Sequence, residues 1–149
     1  MEAQRILRLE KGHVIIGQDT DAMSNPMELQ MSWAIARKKP FFLGARTLRE
    51  LEAKPLTRRL VGFIVRQLGS VVPKENHLVL EDQRMVGRVT SCAYSPTLER
   101  VIGLAYVPPD SSSPGDKITI KCDHAVLLSA EVVALPFFDP DNSQQEVDR

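Results

Sequence analysis

The sequence predicts an α+β protein that is mostly β, with an N-terminal helical and extended segment followed by a small antiparallel β-barrel. Three observations carry this. Six short apolar runs rich in Val, Ile and Leu fill the second half, separated by Gly, Pro, Asn and Ser. Helix-period segments are confined to the first 55 residues. With 43% hydrophobic and 26% charged residues in 149, the chain can bury a core without metal or disulfide staples.

Glu2 to Lys11 carries Ile6, Leu7 and Leu9 among Arg5, Arg8 and Glu10, the pattern of a helix with one buried face, and Gly12 stops it. Val14-Ile15-Ile16 is short and bounded by glycines. Gln18 to Pro26 is turn chemistry, with Asp19 and Asp21 expected to cap the loop. In Leu29 to Ala36 the apolar residues Leu29, Met31, Trp33 and Ile35 alternate with smaller or polar ones, which predicts a strand. Pro40 to Gly44 is an apolar loop, and Ala45 to Lys54 a helix that Pro55 breaks.

Beyond Pro55 the predicted strands are Leu60 to Val65, Leu78 to Leu80, Met85 to Ala93, Val101 to Val107, Ile118 to Cys122 and Ala125 to Leu135. Pro108 to Gly115 reads as a hairpin loop between two of them. This divides the chain into an N-terminal segment 1–55, a barrel 56–140 and a disordered tail 141–149, with fraying expected from Asp139 onward.

Nineteen basic residues balance nineteen acidic ones, so no long-range field draws the chain to nucleic acid or anionic lipid. Arg37-Lys38-Lys39 and Arg58-Arg59 are local anion-site candidates whose ordinary reading is solvated surface. Cys92 and Cys122 lack metal spacing and read as reduced, partly buried thiols of a cytoplasmic protein, and Cys122-Asp123-His124 is only a weak metal hint. No apolar run is long enough to cross a bilayer as a helix. There is no dinucleotide or phosphate-loop motif and no Ser-His-Asp signature around His13, His77 and His124, so no catalytic or metal-ligating residue is assigned.

Two islands remain. Leu7-Arg8-Leu9-Glu10 leads into Lys11-Gly12-His13 and Gly17-Gln18-Asp19-Thr20-Asp21, placing an acid at a helix end before a glycine-punctuated loop. Gly87 to Leu98 runs a strand into a Ser/Pro loop that Thr90, Ser91, Ser95 and Thr97 could brace. On their residues alone these are a surface or capping acid and a structural barrel turn.

Together with the stretch from Asp116 through Val132-Val133-Ala134-Leu135-Pro136 to Pro140, the islands resemble the C-terminal half of the aminomethyltransferase family, the glycine cleavage T protein and its relatives. The wording from Glu10 to Asp21 is most similar to the alpha subunit of sarcosine oxidase. The resemblance implies a partial folate-binding domain over 1–55, tetrahydrofolate as ligand, no metal, and one-carbon transfer, with flavin only in a partner beta subunit. It places the family's pterin-binding glutamate on Glu10, where a carboxylate could accept two side-by-side donors of a pterin edge.

Trp33 and Tyr94 are further candidates to line the site, against core packing and barrel surface respectively. Ile16 stands where glycine cleavage proteins often carry a tyrosine. The family's catalytic aspartate lies in a preceding domain, so little turnover is expected from these residues alone. The rival expectation is a barrel interaction module that assembles with a flavin-bearing subunit, with upstream domains, or with itself as a homodimer.

Overall fold

The computed structural model describes residues 2–66 and 71–145. Helix α1 (Glu2–Glu10) ends in a Schellman cap: Gly12 N–H donates to Leu9 O (2.8 Å) and His13 N–H to Arg8 O (2.8 Å). Gly12 sits at φ +67, a conformation costly for residues with a Cβ, and a Cβ there would stand 3.1 Å from Leu135 Cδ2. The cap thus seats α1 against the chain that leaves the last strand. Helix α2 (Ala45–Glu52) follows a turn-rich stretch and buries only Ala45.

All six predicted strands form: β1 (Arg59–Val65), β2 (Leu78–Glu81), β3 (Arg84–Ser95), β4 (Arg100–Val107), β5 (Lys117–Lys121) and β6 (Leu127–Val133). They close into a barrel in the order β1-β4-β3-β2-β5-β6, every pairing antiparallel. Side chains alternate across β1, and the core splits accordingly. Val61, Phe63 and Val65 join Val79, Val89 and Ile120 in one cluster. Leu60 and Ile64 join Ile102, Leu104 and Tyr106 in a second, which Leu9 of α1 caps. Because β1 and β4 are covered on both faces, each reads as an unbroken apolar run.

Close strand approach depends on glycine at two points. A Cβ on Gly87 would collide with the Tyr106 carbonyl, and one on Gly103 with the Phe63 ring and, at 2.6 Å, with Ser91 O. A bulge between Val89 and Ser91 inserts Thr90 into β3 without a partner on β4. Strand period would send Thr90 and Ser91 to opposite faces; the bulge lets both hydroxyls reach one acceptor.

Three expectations need correction. Leu29 to Ala36 is not a strand: it is turn and a 3-10 segment at Ser32–Ala34, held by local bonds such as Ala34 N to Met31 O (3.0 Å). The period-2 pattern is real, yet among the described residues only the residue before it shares a backbone bond with the barrel, Leu60 N–H of β1 donating to Glu28 O (2.7 Å), and no ladder follows. Pro108 to Gly115 is a crossover and not a hairpin, since β4 pairs with β1 and β3 while β5 pairs with β2 and β6. Asp139 onward is not frayed at its start: Asp139 is buried and accepts from Lys11 Nζ at 2.6 Å, and Ser143 Oγ and Gln144 N–H donate to it. A 3-10 turn at Ser143–Gln145 follows, and the end of the predicted tail, 146–149, lies outside the described residues.

Cys122 is buried, and burial pushes the half-buried Cys92 thiol up to about 12. The thiolate is the reactive form. Neither cysteine is therefore expected to react with a thiol-specific disulfide reagent at pH 8 in the folded chain, while both titrate promptly in denaturant; rapid native labelling would contradict the packing. The Cys122-Asp123-His124 hint dissolves as well. Asp123 is engaged by Lys74 Nζ (2.6 Å) and His77 Nε2 (3.2 Å), and no metal-holding group of three occurs among the described residues.

Candidate functional site

A cleft of about 800 Å³ lies between the barrel and the N-terminal segment. Val14, Leu29, Met31, Leu60, Val133 and Leu135 give it an apolar floor, and Trp33, exposed at 80%, stands at its side. Its polar groups are Lys11, His13, Gln30, Ser112 and Asn142. Lys11 Nζ is held by Asp139 Oδ2 (2.6 Å), Asp139 O (2.6 Å) and Asn142 Oδ1 (3.0 Å), while Gln30 Nε2 donates to Leu60 O (2.8 Å).

Glu10 is not part of this lining. It is 3% exposed, its Oε1 accepts from Ser95 Oγ at 2.5 Å, and its carbonyl accepts from Phe138 N–H at 3.0 Å. Successive helical residues point about 100° apart. At the end of α1, Glu10 therefore faces the β3 terminus while its neighbour Lys11 faces the cleft. Glu10 thus latches helix to barrel and lies outside the lining of this cleft.

Tyr94 is likewise displaced. It pairs with Val101, is 46% exposed and lies outside the cleft lining. Of the three candidates only Trp33 reaches the cleft, and it does so from a turn. Arg58 is unavailable to an anion: it bonds Glu28 (3.0 Å) and Asp21 (3.2 Å) and stacks 4.4 Å above the Tyr106 ring. Arg59 donates to Ser112 Oγ at 3.3 Å.

The residue that sequence reasoning undervalued is Asp19. Fully buried, it accepts from Arg8 Nη1 (2.6 Å), Thr90 Oγ1 (2.6 Å), Ile15 N–H (2.8 Å) and Ser91 Oγ. The loop-capping expectation holds for the Ile15 bond alone. The other three partners come from α1 and the β3 bulge, so Asp19 ties the N-terminal helix and loop to the barrel. A Ser-Thr pair at a bulge and an Arg one turn before a helix stop were the only sequence signals.

Acid titration should report these contacts. Arg58 holds the Asp21 carboxyl well below its ordinary 3.8, and Lys11 lowers that of Asp139. Groups lowered on folding stabilise the fold above their unfolded pKa and lose that contribution as pH falls through the folded value. Urea midpoints are expected to stay flat from pH 7 to about 5 and to fall below about 4. Lys11→Met should flatten part of that fall; an unchanged profile would remove the Asp139 pair from the account.

The fold and cleft define a small closed-barrel module whose ligand-sized recess is built jointly with an N-terminal arm. Residues 58–139 match the family described as the glycine cleavage T-protein C-terminal barrel domain, and the chain belongs to that family. It is 37% identical over 135 residues to an aminomethyltransferase of Halothermothrix orenii, covering 91% of this chain and 37% of that protein. An aminomethyltransferase of Rubrobacter xylanophilus is 36% identical over 137 residues, with 91% and 35% covered. The chain thus spans little more than a third of the length of these relatives. The solved glycine cleavage system aminomethyltransferase T from Bartonella henselae shares the fold, with a TM-score of 0.80 at 24% identity over 91% of this chain and 38% of that one.

Proposed function

We propose that this chain forms one wall of a tetrahydrofolate site in a one-carbon-transfer protein of the aminomethyltransferase type, the reacting groups lying outside residues 1–149. The observation that supports it most is the 37% identity to an aminomethyltransferase, which extends over the arm as well as the barrel. The cleft fits a reduced pteridine in part. Its apolar floor and the Trp33 indole suit a flat ring. Among the described residues no carboxylate lines it, so none of these accepts from the donor edge of the pterin within the cleft.

Within that site the chain's own residues bind and exclude water: Leu29, Leu60 and Leu135 supply the dry surface, and the Lys11-Asp139 pair fixes the strap carrying Pro140 and Asn142 along its border. The finer reading, a sarcosine oxidase alpha subunit whose imine product arrives from a flavin-bearing beta subunit, rests on the wording from Glu10 to Asp21.

Titration of the single Trp33 with 5-formyltetrahydrofolate tests the ligand reading. Saturable quenching, competed by folic acid, is expected; a purely linear response overturns it. Glu10→Gln should leave the quenching curve in place because its carboxylate faces Ser95. If that variant abolishes quenching at an unchanged melting temperature, the latch assignment is wrong.

A further inference from the structure

One charged cluster is not absorbed by the cleft. Of the two anion-site candidates in the sequence, Arg58 is engaged by Glu28 and Asp21, and the Arg37-Lys38-Lys39 run remains. Two of its cations turn to a common place. Arg37 and Lys39 meet Arg49 of α2 around a second recess of about 120 Å³, floored by Ile35, Phe42 and Leu48. Helix period explains the gathering on α2, where Ala45, Leu48, Arg49 and Glu52 stand three and four residues apart on one face and all line the recess. Arg46 and Glu50 pair with each other (3.0 Å) outside that lining.

Three cations face one acid there. Glu52 is taken by Arg37 (2.7 Å), while Lys39 and Arg49 form no ion pair among the described residues. In a chain of zero net charge this leaves local positive charge uncompensated over an apolar floor. The recess is too small for a drug-sized ring system. A carboxylate on a short aliphatic stem suits it, because the charge meets the rim and the methylenes cover the floor.

Position along the chain indicates what carries such a stem. Met31 and Trp33 border the large cleft, and Ile35 and Arg37 border the recess, so Trp33 and Arg37 are at most about 14 Å apart along the chain. Lys11, the one lysine or arginine lining the cleft among the described residues, is already neutralised by Asp139 (2.6 Å). Tetrahydrofolate ends in a glutamate that is extended by further glutamates joined through their γ-carboxyls, each adding a negative charge and two methylenes to the chain itself. We propose that Arg37, Lys39 and Arg49 form a subsite for the γ-linked glutamate tail of the folate whose ring occupies the cleft. Lys39 and Arg49 take a carboxylate, and the methylenes between charges lie on Ile35, Phe42 and Leu48. The subsite rests on the tetrahydrofolate reading and adds to it a preference for tail length that weakens with salt.

Two titrations separate the tail from the ring. The first compares Trp33 quenching by 5-formyltetrahydrofolate carrying one glutamate or five. The longer form is expected to bind about 10-fold tighter at low ionic strength, and most of that gain should vanish at about 0.5 M salt. Lys39→Gln combined with Arg49→Gln should abolish the gain while leaving the monoglutamate curve and the melting temperature in place. Arg46→Gln combined with Lys54→Gln removes the same charge outside the recess and should keep most of it. Glu52→Gln removes the opposing carboxylate and should enlarge the gain, which a damaged fold would not do.

The second titration adds free penta-γ-glutamate, with no pteridine, to the nitrogen-15-labelled chain. Amide shifts should saturate at residues 37–39 and 45–52, and penta-α-glutamate should bind several-fold more weakly. Equal affinities of the two folates, a gain that survives in the Lys39/Arg49 variant, or no saturable shift at 37–39 and 45–52 overturns the proposal. An α-linked peptide that binds as tightly as the γ-linked one also overturns it, by making the recess a site for an acidic protein segment. If neither folate quenches Trp33 while penta-γ-glutamate still shifts these residues, the subsite stands and the place of the ring in the cleft falls.

Discussion

Asp19→Ala is expected to destabilise the fold by about 3–5 kcal/mol, the range found when one partner of a buried ion pair is removed. The loss is large because the guanidinium of Arg8, mostly buried at 13% exposure, keeps its charge while losing its carboxylate. Thr90, Ser91 and the Ile15 N–H lose their acceptor in the same step. Asp21, two residues on, is the control. Its bonds to Arg58 are the more solvated, with side chains 39% and 27% exposed, so Asp21→Ala should cost at most about 1 kcal/mol. Urea denaturation followed by Trp33 emission and far-ultraviolet dichroism measures both. Equal costs at the two sites would show that Asp19 is an ordinary loop cap, and α1 and the β3 bulge would then need another tie.

Phe63→Ala should be comparably severe, at about 3–5 kcal/mol, and should lower the melting temperature by roughly 10 °C or more. Phe63 is fully buried, and its ring occupies the volume that a side chain on Gly103 would take. That volume cannot be refilled from β4, because any Cβ at Gly103 also meets the Ser91 carbonyl of β3 at 2.6 Å. The cavity therefore persists after truncation, which is the condition for a cost at the upper end of the range. A cost below about 1.5 kcal/mol, the level of a volume-conserving swap, would mean that the barrel interior collapses around the gap.

The six strands were legible because each is a compact run of β-branched and aliphatic residues between turn formers, and local composition suffices to mark such runs. Their order was not. Assigning Pro108 to Gly115 to a hairpin assumed that consecutive strands are neighbours, whereas β4 and β5 are separated by the width of the barrel. The site was legible only in part. Trp33 reaches the cleft, while Glu10 and Tyr94 do not, because a shift of one residue on a helix end or strand decides between opposite faces. The role of Asp19 beyond loop capping escaped notice since its partners Thr90 and Ser91 are 71 and 72 residues away and are gathered by a bulge that leaves no pattern in composition.

The amino-acid sequence by itself determined the strands, the two helices, the glycine stop after α1 and the kinship with aminomethyltransferases, because all of these are written in neighbouring residues or in ordered motifs. The tertiary structure alone decided that the sheet closes, that Glu10 turns to Ser95 while Lys11 turns to the cleft, and that a strand-patterned arm folds as turns. Closure is the physical reason: β1 meets β6 by pairing Gly62 with Val133, far apart in the chain, and no local pattern of residues records which distant runs will meet.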